Sequence, residues 1–251
     1  MTMKKKILAI ALITVLALVA VAGASLAYFT DEESAENVFV MKGVDIVLNE
    51  NFEQDSELVP NLKINKDVWV SNEPHSTNAY VRVHIAIPSV LDDGNPALAA
   101  SNNFLHFNFD KESVADGMWS WNKTADGANY PGTGSDEWNF YTTEVDGIQY
   151  NVYVVTYESI LTPGASTLQY ALSQVYVDKT VDANWDGEKF VYVDTLGNEV
   201  TPDQFADAEG NIQIKVIAEA AQAETFANAH EALDTAFGVP GSYDPFNANQ
   251  Q

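Results

Sequence analysis

The residues best suited to chemistry are oxygen donors at alternating positions late in the chain. Asp182, Asn184 and Asp186 are each separated by one residue and are followed by Gly187. Calcium loops use carboxylate and amide oxygens at this spacing, with a glycine where the chain turns sharply. The twelfth position of an EF-hand loop would fall on Val193, which has no carboxylate to offer. The sequence therefore predicts a looser calcium-binding turn, with an ordinary solvated turn as the alternative.

A second pattern surrounds His230. A zinc-peptidase helix carries His-Glu-x-x-His, so that two histidines one turn apart hold the metal. Here His230 and Glu231 fit the first half of the motif, but Asp234 replaces the second histidine. The other histidines lack partners at metal-binding spacing; they are His75, His84 and His106. The pattern favours a helix-cap or surface role for His230 and leaves a metal-dependent peptidase as an alternative function.

Tryptophans suggest a third kind of site, because flat aromatic rings on secreted β-sandwiches often stack on sugar rings. Trp119 and Trp121 are two residues apart and would lie on one face of a strand. Trp138 and Trp185 stand elsewhere in the chain. A cell-surface glycan-binding module is therefore a second alternative function, to be weighed against the usual place of large aromatic residues in the core.

The start of the chain has the pattern of a secretory signal peptide. A basic run, Lys4 to Lys6, precedes an apolar segment from Ile7 to Ala22. Ser25 and Ala27 are the small residues that a signal peptidase reads, which predicts cleavage between Ala27 and Tyr28. The apolar segment is shorter than the roughly 20 residues of a membrane span. We therefore expect this segment to be removed and the protein to be secreted, with an uncleaved anchor as the alternative.

The charge of the chain limits its partners. Of the 251 residues, 36 are acidic and 12 are Lys or Arg, which gives a formal net charge of −24. Such a charge repels nucleic acid and anionic surfaces and favours divalent cations and cationic partners. Copies that pack side by side must have this charge screened or neutralised. Nucleic acid is therefore not an expected partner.

The sequence contains no cysteine, although 46% of its residues are hydrophobic. The absence of cysteine excludes disulfides, zinc–thiolate sites and thiol nucleophiles. An exported protein of this composition relies on core packing, bound ions or assembly for its stability. We expect no required cofactor, with calcium as the one candidate.

Alternating apolar residues predict a largely β fold. From Ala79 to Ile87 the alternation is clean and has the two-residue period of a strand. The core face of this strand is predicted to carry Val81, Val83, Ile85 and Ile87. Its other face is predicted to carry Tyr80, Arg82 and His84 and to point outward.

A hairpin and several further elements complete this prediction. Asp146-Gly147 separates two strand-like runs, residues 138–145 and 148–157, as a two-residue hairpin turn requires. More strands are predicted at residues 44–48, 168–177, 190–193 and 212–220. One helix is predicted at residues 228–237, closed by Gly238.

The segment after the predicted cleavage site is similar to a known family. The junction Ala27-Tyr28-Phe29-Thr30-Asp31 is followed by Asn37-Val38-Phe39, by Gly43 and by the alternating strand at residues 44–48. This arrangement resembles the TasA/camelysin family of exported Gram-positive proteins, whose signal peptides are cleaved by a dedicated signal peptidase. Residues 214–223 and 232–238 look like the closing strand and helix of clostridial relatives.

The resemblance implies a mode of assembly. Several family members build extracellular fibres in which the N-terminal segment of one subunit completes the sheet of the next, which is β-augmentation. The apolar residues of such a segment are Phe29, Val38, Phe39 and Val40. A head-to-tail contact does not close, so it propagates into a filament. The alternative is that residues 28–40 form a strand of their own sandwich or a loose terminus.

Together these patterns predict an all-β protein, a jelly-roll-like β-sandwich with one short C-terminal helix. Residues 1–27 are the predicted signal peptide, 28–40 the assembly segment, 41–240 the sandwich and 241–251 a polar tail. The expected function is non-enzymatic: a secreted structural subunit or accessory of a fibre at the cell surface or in the biofilm matrix. Its expected partners are further copies of itself, the signal peptidase, and other matrix proteins or polysaccharide. The camelysin branch, described as metal-dependent protease, supplies the peptidase alternative.

Overall fold

The computed structural model describes residues 43–52, 58–94, 103–107, 118–124, 126–132, 139–207 and 211–247. Twelve strands lie in this part of the chain. The strands are β1 (Ile46–Phe52), β2 (Ile64–Asn72), β3 (Ala79–Pro88), β4 (Leu105–Phe107), β5 (Trp119–Trp121), β6 (Tyr141–Val145), β7 (Ile148–Leu161), β8 (Leu172–Val177), β9 (Asp182–Trp185), β10 (Phe190–Val193), β11 (Glu199–Val200) and β12 (Lys215–Gln222). One α-helix, α1 (Ala229–Phe237), follows them, and short 3-10 turns lie at Ser89–Leu91 and Pro202–Gln204.

Two sheets face each other and form the sandwich. The first has the strand order β1-β2-β8-β4. The second has the order β12-β3-β7-β5, and β6 also pairs with β7. The core between them is formed by the inner faces of both sheets, including Val68, Val83, Ile85, Tyr153 and Leu172, all fully buried or nearly so. The all-β sandwich with a single short helix, as predicted, is therefore confirmed for the described residues.

The long strand β7 organises the second sheet. Along one edge it pairs with β3, and along the other it pairs first with β6 and then with β5. The hairpin between β6 and β7 turns at Asp146 and Gly147, whose φ angles are 54° and 81°. These are the positive φ angles that a two-residue hairpin turn requires, so this prediction is confirmed.

The outer face of the second sheet is covered by the end of the chain. Helix α1 begins after Asn228, whose side chain accepts a hydrogen bond from the Glu231 amide, and ends at Gly238 with φ 93°. Its buried residues Ala229, Ala232 and Leu233 pack with Tyr80 on β3. The segment predicted to be a polar tail is described as far as Asn247, and Phe246 within it packs against a cluster that includes Tyr141 and Tyr150.

The prediction for β3 is partly wrong. Val81, Val83, Ile85 and Ile87 face the core as expected. Arg82 and His84 lie on the other face, yet both are completely buried. Periodicity identifies the two faces of a strand but does not show what covers each one, and here α1 and the residues after it cover the outer face.

The third sheet contains three short strands in the order β11-β10-β9. Residues Asp182–Trp185 of β9 are all exposed, and they pair with Phe190–Val193 of β10. Within the described residues, no helix is both long and apolar enough to cross a membrane.

Candidate functional site: an open apolar cleft and a buried charged cluster

An apolar cleft of about 910 Å³ opens at the end of the sandwich where β1 ends and β12 begins. The inner faces of β2, β4 and β8 form one side, and residues of the third sheet and of the segment leading into β12 form the other. Its apolar lining includes Leu58, Ile64, Val175, Val177, Tyr192, Phe205 and Ile214. Three further lining residues, Phe52, Val59 and Phe190, are more than a third exposed. A concave apolar surface that remains in water is typical of a binding site.

Two edge strands each reach this cleft at one end, β1 with Phe52 and β12 with Lys215. Strands β1 and β12 are the outer strands of their respective sheets, and they approach each other on one side of the sandwich. Within the described residues neither strand pairs along its second edge. An unpaired edge presents backbone N–H and C=O groups to any extended chain that comes alongside. The cleft can thus accommodate the side chains of an extended chain, while an adjacent strand edge forms hydrogen bonds with its main chain.

A lysine points into the cleft from a core-facing position. Lys66 lies between Ile64 and Val68 on the inner face of β2, and its Nζ donates to Oε2 of Glu50 at 3.2 Å. The same ammonium group stands 4.6 Å from the centre of the Phe52 ring. Inward-pointing charges near a sheet edge limit uncontrolled strand pairing. This charged residue at an otherwise apolar position is the one signal in the sequence that indicates an incompletely closed core.

The residues predicted to take part in export and assembly lie outside the described residues. They are Ala27, Tyr28, Phe29, Val38, Phe39 and Val40. The cleavage site and the assembly segment therefore remain predictions.

The second candidate site is a buried charged cluster beneath α1. Arg82 donates from Nε to Oε2 of Glu219 on the neighbouring strand at 2.6 Å. Its two other nitrogens reach the C-terminal helix: Nη1 donates to Oδ1 of Asp234 at 2.9 Å and Nη2 to the Gly238 carbonyl at 3.0 Å. A cation at a helix C-terminus also interacts favourably with the helix dipole. Arg82 thus joins the sheet to the helix.

His84 extends this cluster toward β6. Its Nε2 lies 3.1 Å from Oε2 of Glu219, and its Nδ1 lies 3.1 Å from the Tyr141 hydroxyl. Burial lowers the pKa of His84 below 6.5 and outweighs the nearby Glu219 carboxylate, so the ring is neutral at pH 7. A neutral ring that donates from Nε2 and accepts at Nδ1 satisfies both contacts.

The two carboxylates of the cluster respond differently to burial. Burial by itself raises the pKa of Glu219, but the hydrogen bonds from His84 and Arg82 and the charge of Arg82 outweigh it, so the pKa is lowered. For Asp234, burial is the stronger effect and its pKa is raised despite Arg82. Both carboxylates are held by Arg82, so removal of one partner would leave a buried charge with incomplete compensation.

His230 does not form a metal-binding pair with Asp234. Its Nε2 lies 2.9 Å from Oε1 of Glu158 and 3.2 Å from the Ser120 hydroxyl, while Nδ1 lies 3.1 Å from the Tyr130 hydroxyl. The hydrogen bond from His230 lowers the pKa of Glu158. Among the described residues, no group of three or more His, Asp or Glu side chains is arranged to hold a metal ion. The histidine of this partial zinc-peptidase motif is instead hydrogen-bonded to Glu158 and Ser120, and these contacts join α1 to the second sheet.

The predicted calcium residues lie on the β9–β10 hairpin. Asp182 and Asn184 alternate along β9 and share one face, because successive strand residues point to opposite sides. Asp186 lies in the turn, where its Oδ1 accepts the backbone N–H groups of Glu188 and Lys189 at 2.8 Å each. The donors are therefore carried by an extended strand and a turn, not by a loop that wraps around an ion. Calcium binding at these residues remains a prediction.

Two of the tryptophans predicted to form a sugar platform belong to the core. Trp119 is buried, and its Nε1 donates to the Gln169 carbonyl at 3.2 Å. Trp121 packs against Phe107 and Tyr153. They share one face of β5 as expected, but that face points into the sandwich, so the interpretation of this pair as an exposed platform is wrong. Trp138 lies outside the described residues, and Trp185 is exposed on the β9–β10 hairpin.

Comparison with known proteins adds no further assignment: no protein-family model, curated protein or solved structure matches this chain.

Proposed function

We propose that this protein is a secreted structural protein, a subunit or accessory of an extracellular biofilm-matrix fibre. Its copies join head to tail by donation of the N-terminal segment, residues 28–40, to the apolar cleft of the next copy. The observation that carries this proposal is the cleft itself, whose apolar lining is accessible beside the unpaired edges of β1 and β12. The resemblance of the N-terminal sequence to the TasA/camelysin family supports the same function.

The donated segment has the composition that this cleft favours. Val38 and Val40 alternate around Phe39, so the apolar side chains of an extended segment can enter the cleft. Four acidic residues precede them between Tyr28 and Asn37 and would remain in water. Main-chain hydrogen bonds to a free sheet edge would provide affinity, and the apolar side chains would set the register.

The experiment compares the chain that begins at Tyr28 with the same chain lacking residues 28–40. Negative-stain electron microscopy should show filaments for the first and only monomers for the second. The shortened protein should keep its circular dichroism spectrum and should bind a synthetic peptide of residues 28–40. A control peptide that carries Val38→Asp and Val40→Asp should not bind.

A variant in the cleft distinguishes intermolecular donation from a segment that folds back on its own chain. Val59 lines the cleft and is 44% exposed, so Val59→Lys should leave the fold intact while placing a charge among apolar contacts. Filaments should be lost in this variant, whereas a mixture with the chain lacking residues 28–40, which keeps an unaltered cleft, should give dimers. Filaments formed by the shortened protein, or unchanged by Val59→Lys, would contradict the proposal.

A further inference from the structure

The outer face of the first sheet carries an aromatic pair, the half-buried Trp69 and the exposed Tyr170, beside a row of hydrogen-bonded polar side chains. Trp69 on β2 points away from the core, since its neighbours Val68 and Val70 are fully buried. Its ring centroid lies 5.8 Å from that of Tyr170, and the two planes are inclined by 56°. Tyr170 is 38% exposed and Leu168 beside it is 76% exposed. Exposed aromatic and apolar groups that cluster in this way mark an interaction site.

The polar row lies on the same face. Nδ2 of Asn49 donates to the Val47 carbonyl at 3.1 Å and to the Ser71 hydroxyl at 2.9 Å. Oγ of Ser71 lies 2.8 Å from Oγ of Ser166. Asn49 is directly opposite Trp69 in the β1–β2 register, so the row begins beside the aromatic pair. These contacts fix the orientation of the three side chains before any ligand arrives.

The three polar side chains still have hydrogen-bonding groups that these contacts do not use. Both N–H groups of the Asn49 amide are engaged, and its Oδ1 accepts no hydrogen bond from a described residue. One of the two serine hydroxyls donates its hydrogen to the other, so the hydrogen of the second hydroxyl remains available for donation to a ligand. The row therefore offers an acceptor at Asn49 and a donor at one of the two serines. A sugar hydroxyl, which both donates and accepts, matches such a row.

We infer that this face, formed by Trp69, Tyr170, Asn49, Ser71 and Ser166, binds a neutral polysaccharide. The aromatic rings stack on the apolar faces of sugar rings, and the polar row bonds the hydroxyl groups at their edges. The inclination of the two rings fits a soluble, twisted chain better than the flat surface of a crystalline one. This inference does not depend on fibre assembly.

The charged residues on this face determine which kinds of ligand it can bind. The outward residues of β1 and β2 are Val47, Asn49, Asn51, Asn65, Asp67, Trp69 and Ser71. Asp67 is the one charged residue among these seven, and the basic Lys63 before β2 lies over the Tyr176 ring of β8, 5.3 Å from its centre, so an anionic polysaccharide finds no counter-charge beside Trp69. A second copy of a chain with a formal net charge of −24 is opposed by electrostatic repulsion over this face. A neutral glycan meets neither obstacle.

Affinity electrophoresis tests the inference in native gels that contain hydroxyethyl cellulose, soluble starch or alginate. The purified protein should be retarded by at least one of the two neutral glucans and not by alginate. Trp69→Ala and Tyr170→Ala should each weaken retardation by about tenfold, which corresponds to the loss of one stacking contact. Trp185→Ala removes an exposed tryptophan from the β9–β10 hairpin and serves as the matched control that keeps full retardation.

Variant folding is checked by melting temperature, and Ser166→Ala provides a substitution that leaves both aromatic rings in place. It should weaken retardation without changing the melting temperature, because Ser166 is exposed. Three results would overturn the inference: no retardation by either neutral glucan, retardation by alginate alone, or equal retardation of the wild type and both aromatic variants.

Discussion

Arg82 and Asp234 are 152 residues apart in sequence and 2.9 Å apart in space, and their ion pair joins the second sheet to α1. The Arg82 side chain is completely buried, whereas that of Asp234 is 21% exposed. Arg82 also bonds Glu219, whose side chain is only 5% exposed. The cluster therefore holds one buried cation between two carboxylates that differ in their access to water.

The first prediction concerns the free energy of unfolding. Glu219→Gln removes the carboxylate closest to Arg82 and leaves a buried charge with incomplete compensation, so stability should fall by about 3 kcal/mol. Asp234→Asn should cost less, because water reaches that carboxylate. Urea denaturation provides both values. Asp203→Asn disrupts an exposed ion pair with Lys189 and should cause no measurable change; equal losses in all three variants would contradict this account.

The second prediction concerns pH. Burial lowers the pKa of His84, so the unfolded chain takes up a proton near its ordinary pKa of 6.5 while the folded chain does not. Stability contributed by the neutral ring is therefore present above pH 6.5 and is lost as the pH falls below it, at a slope of at most about 1.4 kcal/mol per pH unit.

His84→Gln should remove this pH-dependent contribution to stability. The free energy of unfolding of the variant should therefore change less steeply between pH 6.5 and 5 than that of the wild type. Urea denaturation at several pH values measures the two slopes. The pKa of Glu219 is lowered, so its contribution to the free energy of unfolding is lost only below pH 4.5. This is outside the range from pH 6.5 to 5 in which the two proteins are compared. Parallel slopes for the two proteins would show that His84 is not the group responsible.

The third prediction concerns the β6–β7 hairpin. Gly147 has φ 81°, and a Cβ atom added there would meet nothing within 4 Å. Gly147→Ala therefore tests backbone conformation alone and should lower the free energy of unfolding by about 1 kcal/mol. Gly43 also has open space around it but no positive φ. Gly43→Ala is the matched control and should not destabilise; a similar loss at both glycines would refute the backbone explanation.

The fourth prediction concerns calcium. Millimolar calcium should raise the melting temperature if Asp182, Asn184 and Asp186 hold the ion, because binding to the folded state alone stabilises it. Asp182→Ala is the informative variant, since Asp186 also accepts two backbone N–H groups of the hairpin turn. Asp126→Ala alters an exposed aspartate in another turn and should keep the response. Without any shift in the wild type, the hairpin is an ordinary solvated turn.

Sequence patterns identified the regular part of the sandwich well. The strand at β3, the β6–β7 hairpin, β10 and α1 with its closing Gly238 all follow from periodicity and turn chemistry. Strand β2 is not predicted because Lys66 interrupts its apolar alternation, and the polar residues of β9 predict a calcium-binding turn or an ordinary solvated turn rather than a strand. Strand β2 pairs with the distant strand β8, which local sequence does not encode, whereas β9 has only exposed residues and so lacks the apolar alternation of a half-buried strand.

The candidate sites were less predictable than the fold. The cleft arises from the way two sheets diverge at one end, and the charged cluster arises because the end of the chain returns over β3. In the sequence, Arg82 and His84 look like ordinary outward residues of a strand. Their burial depends on partners more than 130 residues away, such as Glu219, which is 137 residues from Arg82.

The return of the chain end over β3 also governs the order in which the protein can fold. Arg82 is synthesised long before Glu219 and Asp234, so any intermediate that buries β3 earlier would enclose an uncompensated charge. Contacts of such sequence separation slow folding. The second sheet is therefore expected to close only after Glu219 and Asp234 have been synthesised, because a chain truncated before them would leave Arg82 without its partners.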